Sequence, residues 1–281
     1  MSTPWHAASY PPRPKLTGAA FVLVPMRALA LSILVFGCLV LLLLIRAVER
    51  PVYGMARPIT PHITRFVCRN ALRILGLRLR QTGFPMTHNG AIVANHSSWL
   101  DIFTLNARQS LYFVSKSEVA RWPGIGWLAR ATGTVFIERN PARARAQTLL
   151  FQERLLAGHR LLFFPEGTST DGMQVLPFKT TLFEAFFAPQ IKDDIWIQPV
   201  AVVYHPPARQ DRRFYGWWGD MDFASHLLTT LMPVRQGSVE TIFCAPVRVS
   251  GTAHRKDLAA TCERSIREAH RAALDPTDRH R

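Results

Sequence analysis

A histidine and an aspartate five residues apart, in Asn95-His96-Ser97-Ser98-Trp99-Leu100-Asp101, have the makings of a general-base pair. In such a pair the carboxylate orients the imidazole and stabilises its charged form. An unbroken helix would defeat it, since five residues turn about 500° and leave the side chains roughly 140° apart. They meet only if His96 lies in a turn ahead of the helix, where Ser97 or Ser98 is a natural N-cap. The same residues also have a purely structural reading, because Ser98-x-x-Asp101 matches a capping box. Spacing does not choose between the two: His270 and Asp275 repeat it in the polar C-terminal part, with no strand before them.

Two further strand ends carry polar groups. In Phe164-Pro165-Glu166-Gly167-Thr168 the Pro and Gly force a turn just past an apolar run. Open α/β sheets place their ligands there, so Glu166 and Thr168 are expected in such a crevice, although a solvated turn reads the same way. In Gly133-Thr134-Val135-Phe136-Ile137-Glu138-Arg139 a strand delivers an arginine, suited to a phosphate or carboxylate and equally to a surface ion pair. Two resemblances fail. Gly124–Ala129 matches GxGxxA, but Arg-Trp-Pro precedes it instead of a strand, and Trp127 would obstruct a pyrophosphate. No GxSxG elbow is present, which disfavours a hydrolase built on Ser97 or Ser98.

The elements that must position these residues are short apolar runs alternating with helical stretches. Residues 91–95, 111–115, 134–137, 160–164, 195–204 and 240–244 read as strands, and 142–156 and 255–274 as amphipathic helices. The expectation is an α/β fold, with a mixed, largely parallel sheet flanked by helices and an N-terminal membrane-anchoring helical segment. The chain divides into a Pro-rich tail (1–15) expected to be disordered, an anchor (16–48) and a basic amphipathic interfacial segment (49–80). A catalytic domain (81–250) and a C-terminal helix and tail (251–281) follow.

The anchor rests on Ala28–Ile45, an uncharged apolar run between Arg27 and Arg46. Eighteen helical residues rise about 27 Å, close to the hydrocarbon thickness of a bilayer. It starts late and lacks a small-residue cleavage site, unlike a signal peptide. Leu16–Met26 and Ala28–Ile45 could instead form a re-entrant pair broken at Pro25 and Arg27. Arginines after the run favour a cytoplasmic C-terminal portion at the inner membrane. Of a formal charge of +15, residues 50–100 hold +7, seven arginines and no acid. Arg65, Arg69 and Arg73 form one helical stripe, expected to face an anionic membrane surface; a solvated stripe is the alternative. No zinc-finger or RRM signature accompanies them, so nucleic acid is not expected as a partner. The four cysteines are widely spaced without CxxC, against a disulfide scaffold or zinc ribbon.

NHSSWLD, GTVFIER, FPEGT and IQPVAV, in this order, resemble the four motifs of the glycerolipid acyltransferases typified by lysophosphatidic-acid acyltransferase, over about residues 70–210. SKSEVARWPGIGWLARATGTVFIER and GDMDF further resemble the bacterial branch that acylates lyso-ornithine lipids. The resemblance implies His96 as general base, Asp101 as its orienting partner, and an acyl thioester donor on acyl carrier protein or CoA, with no acyl-enzyme, metal or other cofactor. It assigns Arg139, Glu166 and Gly167 to the polar head of a lysolipid acceptor, puts Pro199 in the fourth motif, and has Thr168 shape the head pocket. Lys116 is a candidate to stabilise the oxyanion, or to ion-pair with Glu118. This chain departs from the family at Ser169-Thr170-Asp171, where an arginine commonly follows the threonine, and at Phe178-Lys179-Thr180. A phosphomonoester acceptor would suffer more from Asp171 than a zwitterionic one. A hydrolase using the same pair on water, and a non-enzymatic membrane-surface protein, are the competing classes.

Overall fold

The computed structural model describes residues 5–7, 9–12, 14, 17–138 and 144–275. In chain order it runs α1 (Gly18–Tyr53), α2 (Thr60–Leu75), β1 (Arg78–Thr82), β2 (Gly90–Ala94), α3 (Asp101–Asn106) and β3 (Tyr112–Lys116). It continues with α4 (Ile125–Ala131), β4 (Val135–Ile137), α5 (Ala144–Leu156), β5 (Leu161–Phe163) and β6 (Trp196–His205). Then come α6 (Phe223–Leu231), β7 (Ser238–Phe243), β8 (Val247–Arg248) and α7 (Arg255–Leu274).

The strands form one sheet in the order β1-β7-β6-β2-β5-β3-β4, with β8 added beside β6. All pairings are parallel except β6 with β7 and β6 with β8. The mixed, largely parallel sheet expected of the sequence is therefore present. β2 is buried along its whole length, as a strand covered on both faces must be. One face packs under α5, α7 and the 3₁₀ turn at Thr181–Phe187, around Phe163, Phe183, Phe186 and Ile266. The other packs under α2, α3 and α6, around Leu72, Leu100, Leu162 and Leu231.

Pro199 sits inside β6 without breaking it, for a positional reason. Its carbonyl accepts from Cys244 N at 3.0 Å, so its missing N–H points to the side where β6 changes partner from β8 to β7.

Helix α1 is continuous through Pro25 and Arg27, with no re-entrant break, and runs on to Tyr53. It is long and apolar enough to cross a membrane. A single stripe along it, through Ala20, Val24, Arg27, Leu31, Leu42 and Glu49, faces the rest of the protein. Arg27 donates to the carbonyls of Leu231 and Pro233, both at 2.7 Å, at the end of α6. Glu49 accepts from Ile59 N at 2.8 Å, Thr60 N at 3.2 Å and Thr60 Oγ1 at 2.7 Å. It thereby caps the start of α2, which lacks a capping side chain of its own.

Two sequence expectations meet a different arrangement. In α2, Arg69 Nε donates to Ala107 O at 2.8 Å and Arg65 to Arg108 O at 3.4 Å. The stripe thus partly serves the carboxyl end of α3, whose last carbonyls need donors; Arg73 bonds Asn70 at the surface. The Pro-rich opening, expected to be disordered, places Trp5 and Tyr10 against the buried ring of Trp218.

Candidate active site

Strand pairing explains why two distant motifs meet. Val93 of β2 pairs with Phe163 of β5, and His96 and Glu166 each lie three residues further on, at the same carboxyl edge. Asn95 fastens that edge: its amide accepts from Val202 N at 2.7 Å and donates to Val202 O at 2.9 Å. Residues 96–100 are not helical, and α3 begins at Asp101. The pairing therefore occurs across a turn, as the spacing required.

Asp101 is fully buried and its carboxylate accepts from every side. Oδ2 takes the His96 Nδ1 hydrogen bond at 2.8 Å, Ser97 N at 2.9 Å and Ser98 N at 3.1 Å. Oδ1 accepts from the Tyr204 hydroxyl at 2.7 Å. One carboxylate thus binds both the His96 ring and the two amides of the turn ahead of α3, whose N-cap residue is Leu100 and not Ser98. Burial first, and Asp101 second, hold the Tyr204 pKa well above its usual value, so that hydroxyl stays a donor. A carboxylate can only accept, so His96 Nδ1 carries the proton and Nε2 of the neutral ring keeps its lone pair. The ring stacks on Phe164 with centroids 4.1 Å apart and planes 12° apart, which fixes its rotation. About a fifth of the side chain (21%) remains exposed, so the base is reachable.

Asp101→Asn is expected to lower kcat by about 10²- to 10³-fold with little change in thermal midpoint. One oxygen takes His96 Nδ1 and both the Ser97 and Ser98 amides, so an asparagine that keeps those bonds sets its NH2 against the Tyr204 hydroxyl, while one that turns N–H towards Nδ1 gives them up. Either way the charge that stabilises the protonated imidazole is lost. Activity within fivefold of the parent protein would show that Asp101 only holds the turn ahead of α3.

Glu166 is turned inward, 2% exposed. Oε1 accepts from His96 N at 2.7 Å and Oε2 from Leu176 N at 2.8 Å. Burial pushes its pKa up to about 8, against the pull of those two amides. The carboxyl thus ties the base's own backbone to the 176 segment. Gly167 has φ +72°, and a Cβ there would come within 2.8 Å of Lys179 Nζ, so the turn needs glycine and brings a cation beside it. Thr168 is half-buried at the rim. Thr170 N donates to His96 O at 2.9 Å and Trp217 N to Ser97 O at 2.8 Å, closing the crevice on two more sides. Lys116 ends β3 at the same edge of the sheet, half-buried. Arg139 lies outside the described residues.

Sequence reasoning did not identify Tyr204, Asn95, Lys179 or Trp217 as site residues. Tyr204 had a signal, a phenol closing an otherwise apolar strand; Trp217 acts through its amide, which no residue type announces. A cavity of about 290 Å³ lined by Met173, Tyr204, Arg209, Arg212 and Leu274 touches the pair only through Tyr204 and includes neither His96 nor Thr168. Among the described residues no group of three or more His, Cys, Asp or Glu side chains is placed to hold a metal ion.

The family model described as Acyltransferase matches residues 77–203, which include His96, Asp101 and the Phe164–Asp171 segment. The chain is 55% identical to a lyso-ornithine lipid O-acyltransferase of Rhodobacter capsulatus over 263 residues, 94% of this chain and 95% of that one. It is 41% identical to a 1-acyl-sn-glycerol-3-phosphate acyltransferase of Neisseria gonorrhoeae over 103 residues, 36% of this chain and 40% of the other. Among solved structures it resembles the 1-acyl-sn-glycerophosphate (LPA) acyltransferase PlsC from Thermotoga maritima, with TM-score 0.58. That likeness covers 91% of this chain and 96% of the other, and at 18% identity it is one of fold.

Proposed function

The chain belongs to the acyltransferase family, and from that premise we propose that it moves a fatty acyl group from an acyl thioester to the free hydroxyl of lyso-ornithine lipid, at a membrane surface. The observation that carries the chemistry is the His96 imidazole, held through Nδ1 by a buried carboxylate with Nε2 left free to take a proton. The acceptor hydroxyl gives its proton to Nε2 while its oxygen attacks the thioester carbonyl. The tetrahedral oxyanion collapses, the carbon–sulfur bond breaks, and the leaving thiolate takes the proton back from Nε2–H. The ester is formed, free thiol is released, and no acyl-enzyme is needed because the thioester is already activated. Lys116, at the same strand edge, is suited to stabilise the oxyanion. The donor is carried on acyl carrier protein or CoA, and both carriers are acidic, which suits a basic protein.

The headgroup reading rests on charge. Lys179 stands beside Gly167, and Asp171 follows the Thr170 amide that bonds His96 O. One cation and one anion on the segments that border the crevice match a headgroup with an α-carboxylate and a δ-ammonium better than a phosphomonoester. Asp171→Arg is expected to shift the ratio of kcat/KM for lyso-ornithine lipid over lysophosphatidic acid towards the latter by about tenfold. An unchanged ratio would remove Asp171 from the headgroup site.

The membrane reading follows from α1. Its contact stripe spans Ala20 to Glu49, about 43 Å of helix, while Phe21, Leu29, Ile33, Leu44 and Val48 are exposed on its outer side. A helix held against the protein over that length could not cross a bilayer without drawing α2 and its arginines into hydrocarbon. The chain therefore lies on one leaflet with the outer face of α1 immersed, on the cytoplasmic side of the inner membrane, where acyl thioesters are made. The test is a labelled acyl thioester offered with lyso-ornithine lipid. Label in the diacyl lipid supports the reading, and label only in free fatty acid favours a hydrolase.

A further inference from the structure

We propose that the amino-terminal tail is a wall of the acceptor site, in which Trp5 and Tyr10 clasp Trp218 and hold the tail's backbone against Thr168. The inference rests on the acceptor reading of the Phe164–Asp171 segment. Trp5 N donates to Thr168 Oγ1 at 3.4 Å, which brings the tail to the rim of the crevice. The Trp5 and Trp218 rings lie 6.1 Å apart, and Tyr10 stacks on the same indole at 5.7 Å and 24°. Arg213 Nη1 donates to Ser9 O at 2.9 Å, and His6 Nδ1 is 4.0 Å from Asp220 Oδ2.

The receiving surface is shaped for this. Gly219 has φ +59°, and any Cβ there would come within 2.8 Å of His6 Nδ1. Trp218, 1% exposed beneath the tail, is the neighbour of Trp217, whose amide bonds Ser97 O. From Trp5 to the residue beside the base there is thus one continuous run of contacts. Pro11, Pro12 and Pro14 restrict the tail's backbone, which lowers the entropy lost when it lies down. Two aromatic rings then suffice as anchors.

Steady-state kinetics of the full chain in vesicles, with acceptor and donor varied separately, tests this. Trp5→Ala is expected to raise the lysolipid KM about fivefold to tenfold, the scale of one lost interaction, with the donor KM and kcat nearly unchanged. Trp5→Phe keeps the ring and the amide and should recover most of the affinity. Thr168→Val removes the rim hydroxyl of the underlying reading and with it the oxygen that accepts from Trp5 N, so it is read beside Trp5→Ala. If Thr168→Val raises the lysolipid KM and Trp5→Ala does not, the wall is overturned and the acceptor reading stands. If neither moves it, both are overturned. A rise in kcat for Trp5→Ala, or a change confined to the donor KM, also overturns the wall: the first would make the tail an inhibitory cover, the second part of the donor's path.

Discussion

His96→Ala is expected to lower kcat for acyl transfer by about 10⁴-fold, the upper end of what a positioned general base contributes. The fold should survive the change, for three reasons. The ring is partly exposed and packs on one neighbour, Phe164. Glu166 bonds the backbone amide of residue 96, not its side chain, so that tie persists. Asp101 keeps three of its four donors, from Ser97, Ser98 and Tyr204. The thermal midpoint should therefore stay close to that of the parent protein while turnover disappears. The decisive measurement is single-turnover transfer from a labelled thioester to lyso-ornithine lipid, with membrane extraction followed in parallel. Activity above about one hundredth of the parent level, in protein that extracts normally, would mean that another group takes the proton.

The chemistry of the site was legible in the sequence where it depends on residue type at a strand end. His96, Asp101 and the Pro-Glu-Gly-Thr turn each follow an apolar run, and the sheet brings the ends of β2 and β5 together because those strands are parallel neighbours. The run of strands and the long C-terminal helix were legible for the same reason, their apolar period. β1 was not: Arg-Leu-Arg-Gln-Thr is an edge strand, half exposed, with one large apolar residue, and it was absorbed into the basic segment before it. α6 is capped by Asp222, which accepts from Ser225 N at 2.8 Å, but its nine residues carry no Asp, Glu, Lys or Arg to mark a polar face. In the proline-rich opening, composition gives no sign that Trp5 and Tyr10 meet a tryptophan more than two hundred residues away. The contact stripe of α1 could not be read from hydropathy, since Arg27 and Glu49 look like interruptions until their partners are known.

Glu166 is where sequence and structure assign different work, and its replacement separates them. A glutamate that binds the acceptor head would, on removal, raise the lysolipid KM and leave the fold alone. The buried carboxyl seen here instead holds two main-chain amides, those of His96 and Leu176. Glu166→Ala leaves both unpartnered, at about 1–3 kcal/mol each, and opens a small void besides. A loss of about 3–5 kcal/mol is expected, a large part of the stability of an ordinary domain, and the thermal midpoint should fall by roughly 6–20 °C. kcat should fall with it, because residue 96 loses the tie that sets the base, while the lysolipid KM of the folded fraction changes little. A normal midpoint with a raised KM would return Glu166 to the acceptor site. Its protonation gives an independent reading. Burial raises the folded pKa from 4.5 to about 8, so between those values the folded protein holds a proton that the unfolded chain has released. Stability from this group is fully present below about pH 4.5 and is lost as the pH rises towards 8. The difference in stability between parent and Glu166→Gln should therefore slope downward across that window and level off above it. A flat difference would mean that the two amides, not burial, set the charge of Glu166, and that it holds residue 96 as a carboxylate.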